Sequence, residues 1–348
     1  MLELFIEFGQ QGLIGRPNLM ELLVHPLDRR LAVSPGANLL TVLREHDVPV
    51  SYSCTAGRCG TCRCKVTRGH VLEAGSDAKL VQVNEGQFAL ACMSVLTQSC
   101  EIEVQDPDEV VTHPARALKT TVVAIDDMTH DIKRIVLRSP KPLAFSPGQY
   151  AQVQFTPNHI RPYSMASISS DETLEFHVRL VPDGRVSGYI RSVLEVGQSV
   201  RVSGPLGTAY LRQKHTGPML CVAGGTGLAP ILSIVRGAVR AGMTNPIHLY
   251  FGVRSPRDVY GMSWLQDLAR VHPNLSVHVI PTLDESGRSP RTGLVTDAIA
   301  SDWGGALNDF RAYLCGAPPM VETASLLLKQ RGMLPEHVHA DAFYSSRL

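Results

Sequence analysis

The chain lacks several features that would have decided its class at once. Charge of one sign is missing: 33 lysines and arginines face 32 aspartates and glutamates, a net charge of +1. That excludes the basic bias of a nucleic-acid binder. Long apolar runs are missing too. The longest, near Met219 to Val235, is broken by Gly224-Gly225-Thr226-Gly227 and Pro230, so no membrane span is expected. No cationic segment followed by an apolar one opens the chain, so no signal peptide is read. The 13 histidines include no pair at metal-ligand spacing on one helix face, and neither a Ser-His-Asp set nor paired carboxylates can be argued. What remains is 44% hydrophobic content over 348 residues, a soluble globular chain too long for one ordinary domain.

Cysteine is where the sequence becomes specific. Cys54, Cys59 and Cys62 form a C-x4-C-x2-C run, and Cys92 follows further on. This is the plant-type ligand spacing for a [2Fe–2S] cluster, a one-electron carrier working near about −400 mV. Four thiolates must converge on two irons, and a loop holding Gly57 and Gly60 can wrap them and turn N–H groups toward the sulfurs. A zinc site would more often show paired C-x-x-C units or histidines; zinc and plain buried thiols are the alternatives. Cys64 is expected to point away from the cluster, and Cys100 and Cys221 to be small buried hydrophobes. Cysteines at cluster spacing place the protein in a reducing cytoplasm.

Along the chain, residues 1–19 lack periodicity and read as an N-terminal extension, with Met20 as candidate initiator. Residues 20–112 read as a small mixed unit: strands at Leu22–His25 and Arg30–Ser34, a helix over Asn38–His46 capped by Asn38, the cysteine loop, then a strand at Arg63–Val66. Asp106-Pro-Asp-Glu109 through His113-Pro114 reads as a linker. Residues 117–213 are strand-rich, at Thr121–Ile125, Ile132–Leu137, Tyr150–Phe155, Leu174–Val181 and Ser199–Ser203, with one helix near Gly188–Leu194. Their close turn signals predict an antiparallel barrel. Residues 214–348 alternate strand and helix, which predicts a parallel sheet wrapped by helices.

Within the barrel, Arg161-Pro-Tyr-Ser164 follows a strand. Here the chain resembles the ferredoxin–NADP reductase superfamily, whose flavin signature is R-x-Y-S. The resemblance implies that Tyr163 stacks on the isoalloxazine ring, Ser164 hydrogen-bonds near flavin N5 and Arg161 pairs with the phosphates. An aromatic face, a hydroxyl and a forked cation suit those tasks. Phe176-His177-Val-Arg179 and Gly184-Arg185-Val186-Ser187 match later flavin segments, the second bringing a helix N-terminus to the pyrophosphate. Gly204-Pro-Leu-Gly207 matches the barrel-closing turn. Together they imply FAD, with FMN as the alternative.

In the last unit, Gly224-Gly225-Thr226-Gly227 follows an apolar strand and opens a helix. Alone it is a tight turn or a nucleotide loop; in this context it matches the superfamily's pyridine-nucleotide loop. Cys315-Gly316-Ala-Pro-Pro-Met320 matches the nicotinamide-side motif, which implies Cys315 near nicotinamide C4; a buried strand end is the alternative. Asp341-Ala-Phe343-Tyr344 occupies the stretch where the resemblance implies an aromatic over the flavin or an acidic residue near it; Phe343 is the candidate aromatic, with a plain core anchor as the alternative. Arg254 and Ser255, in Arg254-Ser-Pro-Arg257-Asp258, stand where the nucleotide's 2′ position is read, and NADH is expected with NADPH tolerated.

The order of units, with Ser51-Tyr-Ser-Cys54 and Arg58 through Val66, resembles the reductase components of bacterial aromatic-ring dioxygenases. The resemblance covers nearly all of residues 20–348. It implies an α/β plus β chain: a β-grasp ferredoxin domain, an antiparallel β-barrel FAD domain and a doubly wound parallel-sheet nucleotide domain. It implies an NAD(P)H-dependent iron–sulfur flavoprotein, a monomer, that passes hydride to FAD and single electrons through the cluster. The acceptor would be a Rieske-type ferredoxin or oxygenase in aromatic hydrocarbon catabolism. Two alternatives stay open: a reductase feeding a diiron monooxygenase or other oxidase, and a redox-sensing binding module. Arg58, Arg63, Lys65 and Arg68 give the cluster loop a basic rim, which predicts an acidic docking surface on the partner.

Overall fold

The computed structural model describes residues 19–48, 50, 57, 62–74, 79–104, 111 and 113–343. Cys54, Cys59, Arg58 and the N-terminal extension up to residue 18 lie outside those residues. The first unit builds from β1 (Met20–His25), β2 (Arg29–Val33), α1 (Leu39–Glu45), β3 (Arg63–Arg68), β4 (His70–Ala74), β5 (Leu80–Asn84), β6 (Phe88–Leu90), β7 (Ser94–Val95) and β8 (Cys100–Glu103). In β1, Leu22 and Val24 are fully buried and their neighbours are not, the period-2 pattern of a sheet covered on one face. The main sheet runs β2-β1-β8-β3-β6, and β4 holds β5 and β7 in a smaller sheet. Asn38 caps α1 as expected, its side-chain oxygen accepting the Thr41 N–H at 3.1 Å. Leu39, Leu40, Val42 and Leu43 of α1 share the core with Val66 and Ile102 of the sheet.

The second unit contains β9 (Arg116–Asp127), β10 (Ile132–Arg138), β11 (Tyr150–Thr156), β12 (His159–Ser164), β13 (Thr173–Arg179), α2 (Arg185–Ser192) and β14 (Ser199–Leu206). All pairings are antiparallel, in the order β12-β11-β14-β9-β10-β13. A bridge between Met165 and Phe176 joins the two ends of that order and closes the barrel. Arg161-Pro-Tyr-Ser164 follows the strand β11, as expected, and is itself the end of a further strand, β12. Pro162 breaks the strand pattern in sequence, yet β12 is the edge of the sheet, where a missing N–H is tolerated. The barrel helix also begins earlier than periodicity suggests, at Arg185, because Gly184 takes the N-cap position.

The third unit carries β15 (Met219–Gly224), α3 (Leu228–Arg240), β16 (Ile247–Val253), α4 (Met262–Val271), β17 (Leu275–Pro281), α5 (Val295–Asp302), β18 (Arg311–Gly316), α6 (Pro318–Gln330) and β19 (Val338–Ala342). The sheet is parallel throughout, in the order β17-β16-β15-β18-β19. Both faces are buried, so its strands are near-continuous apolar runs. Cys221, Ala223 and Cys315 face the layer holding α3 and α4, while Leu220, Val222 and Leu314 face α5 and α6. Strand order reverses between β15 and β18, and such a switch point opens a crevice at the strands' C-terminal ends.

Candidate functional site

At that switch point the barrel and the parallel sheet enclose a cleft of about 890 Å³. The edge strand β12 presents Arg161, Tyr163 and Ser164 to it. Tyr163 is half-buried and edge-on to Phe155, with ring centroids 6.4 Å apart, and burial pushes its hydroxyl above the usual tyrosine range. The Ser164 hydroxyl donates to the Asp341 carboxylate at 3.0 Å. Desolvation raises that carboxylate to about 6, against the opposing pull of the Ser164 bond.

The N-terminus of α2 opens into the same cleft through Gly184, Arg185, Val186 and Ser187. Gly184 makes no side-chain cap bond, so the first-turn N–H groups lack the side-chain acceptor that usually caps them. The Ser187 hydroxyl is turned back to accept from Val181 N at 2.9 Å, and Arg185 donates to the Asn158 carbonyl at 3.1 Å. Arg179 lines the wall, its Nε 3.7 Å from Asp131.

Gly224, Gly225 and Thr226 form the floor on the nucleotide side. Gly227 and Gly316 lie just behind them. A Cβ on Gly227 would collide with the Cys315 carbonyl, and Gly316, at φ +149°, rests against the Gly224 backbone. Only glycine permits both approaches. Cys315 itself is not on the cleft surface. Its side chain has no exposure and sits in the α3-facing core, where burial holds the thiol well above its ordinary range. Strand alternation explains this: the residue at that strand end points into the sheet–helix layer rather than out of the strand tip. Phe343 does line the cleft, half-buried, with its N–H donating to the Gly316 carbonyl at 2.8 Å.

Arg254 reaches the cleft but is engaged, 2.8 Å from Asp131 and 2.5 Å from Asp258. Ser255 is outside the lining; its N–H and hydroxyl both donate to Asp258, at 3.0 and 2.8 Å, starting a short turn of helix.

His177 borders the cleft but its ring is fully enclosed and committed elsewhere. Nε2 lies 2.9 Å from Glu175, Nδ1 lies 3.1 Å from the Tyr260 hydroxyl, and the ring stacks on Trp264. Burial lowers the His177 pKa against the opposing pull of Glu175, which favours the neutral ring. Nε2–H then donates to Glu175, which leaves Nδ1 to accept from Tyr260. Burial pushes Glu175 up, yet the His177 bond and the charges of Arg236 and Arg134 outweigh it and hold the carboxylate at about 2. Arg236 and Trp264 belong to the nucleotide unit, so this network joins the two units beneath the cleft. Sequence reading missed Glu175, Asp131, Tyr260 and Trp264; it allowed for an acid near the flavin in the Asp341–Tyr344 stretch but not for the bond from Ser164.

Of the four cluster candidates, Cys62 and Cys92 are described. Cys62 immediately precedes β3 and Cys92 lies in the short helical turn after β6, and the Cys92 N–H donates to the Cys62 sulfur at 3.4 Å. The Cys62 bond leads the influences that bring the Cys92 thiol down to about 7. Cys64 points the other way, into the core, and burial pushes it up to about 12. A backbone N–H aimed at sulfur and a thiol poised to ionise suit an iron–sulfur ligand pair. The cleft fits a flavin with its pyrophosphate and a pyridine nucleotide: an aromatic face, side-chain-uncapped helix N–H groups, four lining arginines, and a glycine floor that a Cβ would fill.

Three family models match the chain in sequence: a 2Fe-2S iron-sulfur cluster binding domain over residues 23–97, an oxidoreductase FAD-binding domain over 119–210, and an oxidoreductase NAD-binding domain over 221–325. The reductase component of the naphthalene 1,2-dioxygenase/salicylate 5-hydroxylase systems of a Ralstonia species is 57% identical over 94% of this chain and 99% of its own. The ferredoxin–NAD(P)+ reductase component of the Pseudomonas putida naphthalene 1,2-dioxygenase system is 56% identical over 93% and 99%. The crystal structure of an Amycolatopsis cytochrome P450 reductase superposes with a TM-score of 0.68 at 32% identity, covering 93% of this chain and 98% of that one. The chain therefore belongs to the ferredoxin–NAD(P)+ reductase components, iron–sulfur flavoproteins that move electrons from a pyridine nucleotide through FAD and a [2Fe–2S] cluster.

Proposed function

We propose that this reductase takes electrons from NADH and delivers them to a Rieske-type ferredoxin or oxygenase of an aromatic-hydrocarbon dioxygenase system in the cytoplasm. The named roles of the relatives support it: those near 57% identity serve naphthalene systems, whereas the P450 reductase stands at 32%. That gap favours an oxygenase system of the naphthalene type, which for the Ralstonia relative includes a salicylate 5-hydroxylase, over a cytochrome P450. Residues 20–112 are assigned to the cluster, 117–213 to FAD and 214–348 to the nucleotide.

Bound FAD supplies the exchange between a two-electron donor and one-electron carriers. The chain's residues hold and orient. Tyr163 offers its face to the ring. Arg161 and the α2 N-terminus, with Arg185, hold the phosphates. Ser164 keeps a hydroxyl proton at Oγ, ready to donate where Asp341 now accepts. The Gly224–Gly227 loop brings backbone N–H groups to the nucleotide, and Cys315 with Gly316 serves through backbone, by letting α3 start close to β18. Arg254 is already paired with two carboxylates, so a 2′-phosphate would meet Asp131 and Asp258. This supports NADH, while the exposed Arg257 leaves NADPH tolerated.

The observation that carries the assignment is the Ser164–Asp341 contact, which unites the tip of the flavin strand with the last strand of the nucleotide sheet. The test is anaerobic titration with NADH, followed by visible absorption and low-temperature EPR. Flavin bleaching with a [2Fe–2S] signal is expected; bleaching without it would leave only a flavin reductase. Ser164→Ala is expected to slow stopped-flow flavin reduction, and an unchanged rate would remove that role.

A further inference from the structure

The antiparallel β3–β6 pair lies next in sequence to the described cluster ligands Cys62 and Cys92. Its register pairs Arg63 with Leu90 and Lys65 with Phe88, while Cys64 and Ala89 face the core. Arg63, Lys65, Phe88 and Leu90 therefore share the outer face. Arg63 follows Cys62 directly, and Leu90 stands two residues before Cys92. Phe88 is 45% exposed, an unusual exposure for a phenylalanine, and the Arg63 guanidinium lies over its ring at 3.9 Å. Among the described residues no carboxylate pairs with Arg63 or Lys65. Glu103 stands opposite Lys65 in register without an ion pair, and Glu73 is turned inward to accept from Leu90 N at 2.6 Å. Arg68, further along, is already shared with Glu101.

We infer that this face is the docking surface for the electron acceptor: an acidic redox protein whose carboxylates meet Arg63 and Lys65 while an apolar side chain covers Phe88. An exposed aromatic flanked by uncompensated cations is the composition of an interface centre with a steering rim. Its place beside two cluster ligands makes the docked geometry the one from which a single electron crosses, with no atom transferred and the acceptor reduced by one electron. The inference rests on the function proposed above.

The test measures binding by calorimetry between the oxidised holoprotein and an acidic Rieske-type ferredoxin purified from a naphthalene dioxygenase system, at low and high salt. Wild-type affinity is expected to fall with salt. R63E with K65E is expected to weaken binding about tenfold or more and to flatten the salt dependence. F88S is expected to weaken it several-fold with the salt dependence retained. NADH-driven reduction of ferricyanide, a small acceptor that needs no docking face, stays unchanged in both. Salt-independent wild-type binding overturns the inference, as does a double variant that binds within twofold of wild type. If the charge reversals disturb the cluster, seen in its visible spectrum, K65Q and the wild-type salt series decide. Failure of NADH to reduce the wild-type cluster would count against the proposed function, and the binding result would stand apart from it.

Discussion

Ser164 and Asp341 are 177 residues apart in sequence and 3.0 Å apart in space. The serine was legible because its neighbours form a recognisable signature. The aspartate stood in a stretch where the resemblance implies an acid near the flavin, yet nothing local says which hydroxyl it will meet. Its raised value of about 6, against 3.8 in the unfolded chain, fixes a sign. The fold favours the protonated form, so this group's contribution to stability is full below 3.8 and declines as pH rises through about 6. Asp341→Asn removes that decline. Thermal melts of variant and wild type are therefore expected to diverge between pH 4 and pH 7, the variant gaining relative to wild type; parallel curves would mean the carboxyl is not desolvated. Cys315 teaches the converse: its motif is legible but its burial is not, and the structure sets its thiol in the core and its carbonyl against Gly227.

At the scale of elements, the start of α3 depends on how closely it can approach β18. Gly227→Ala would force a methyl group into the Cys315 carbonyl. Overpacking of this kind costs about 1–3 kcal/mol, and the displaced loop should raise the KM for NADH while the cluster spectrum stays intact. Gly188→Ala is the control. Gly188 lies within α2 with no atom near the added Cβ, so alanine there should stabilise by roughly 0.5–1 kcal/mol. Chemical denaturation of both variants checks the opposite signs. Most strands and helices were legible, because burial on both faces or one face writes itself as a run or an alternation. β12 and β19 were not. Pro162 disguises the first, and the second is five residues long in a stretch interrupted by His339 and Asp341.

At the scale of the molecule, the two units around the cleft are joined by Glu175, held by His177, Arg134 and Arg236 with Trp264 packed between the two arginines' reach. Removing one partner of such a buried set leaves uncompensated charge, and Glu175→Gln is expected to cost about 3–5 kcal/mol. Because the folded carboxylate sits at about 2 and the unfolded one at 4.5, its stabilisation is present above 4.5 and lost as pH falls toward 2. Denaturation between pH 3 and pH 7 should show that slope in the wild type and a shallower one in the variant. Only His177 was singled out beforehand, and as a cofactor contact: Glu175, Arg134, Arg236 and Trp264 lie on β13, β10, α3 and α4, and each reads alone as an ordinary charged or aromatic residue. The order of the three units was legible in full, since each carries its own signature.

The hydroxyl and carboxylate at the centre of the cleft come from β12 and β19, and each is the last strand of its sheet. Strand edges left open are templates for pairing with other chains. Here β12 is closed onto β13 by the Met165–Phe176 bridge, while β19 stays the end strand of its sheet and lines the cleft with Asp341, so whatever fills the cleft also covers part of that open edge. Shelf life and turnover thus become the same property: flavin-stripped protein should scatter light and self-associate sooner than the loaded form, and adding FAD back should reverse the early stage.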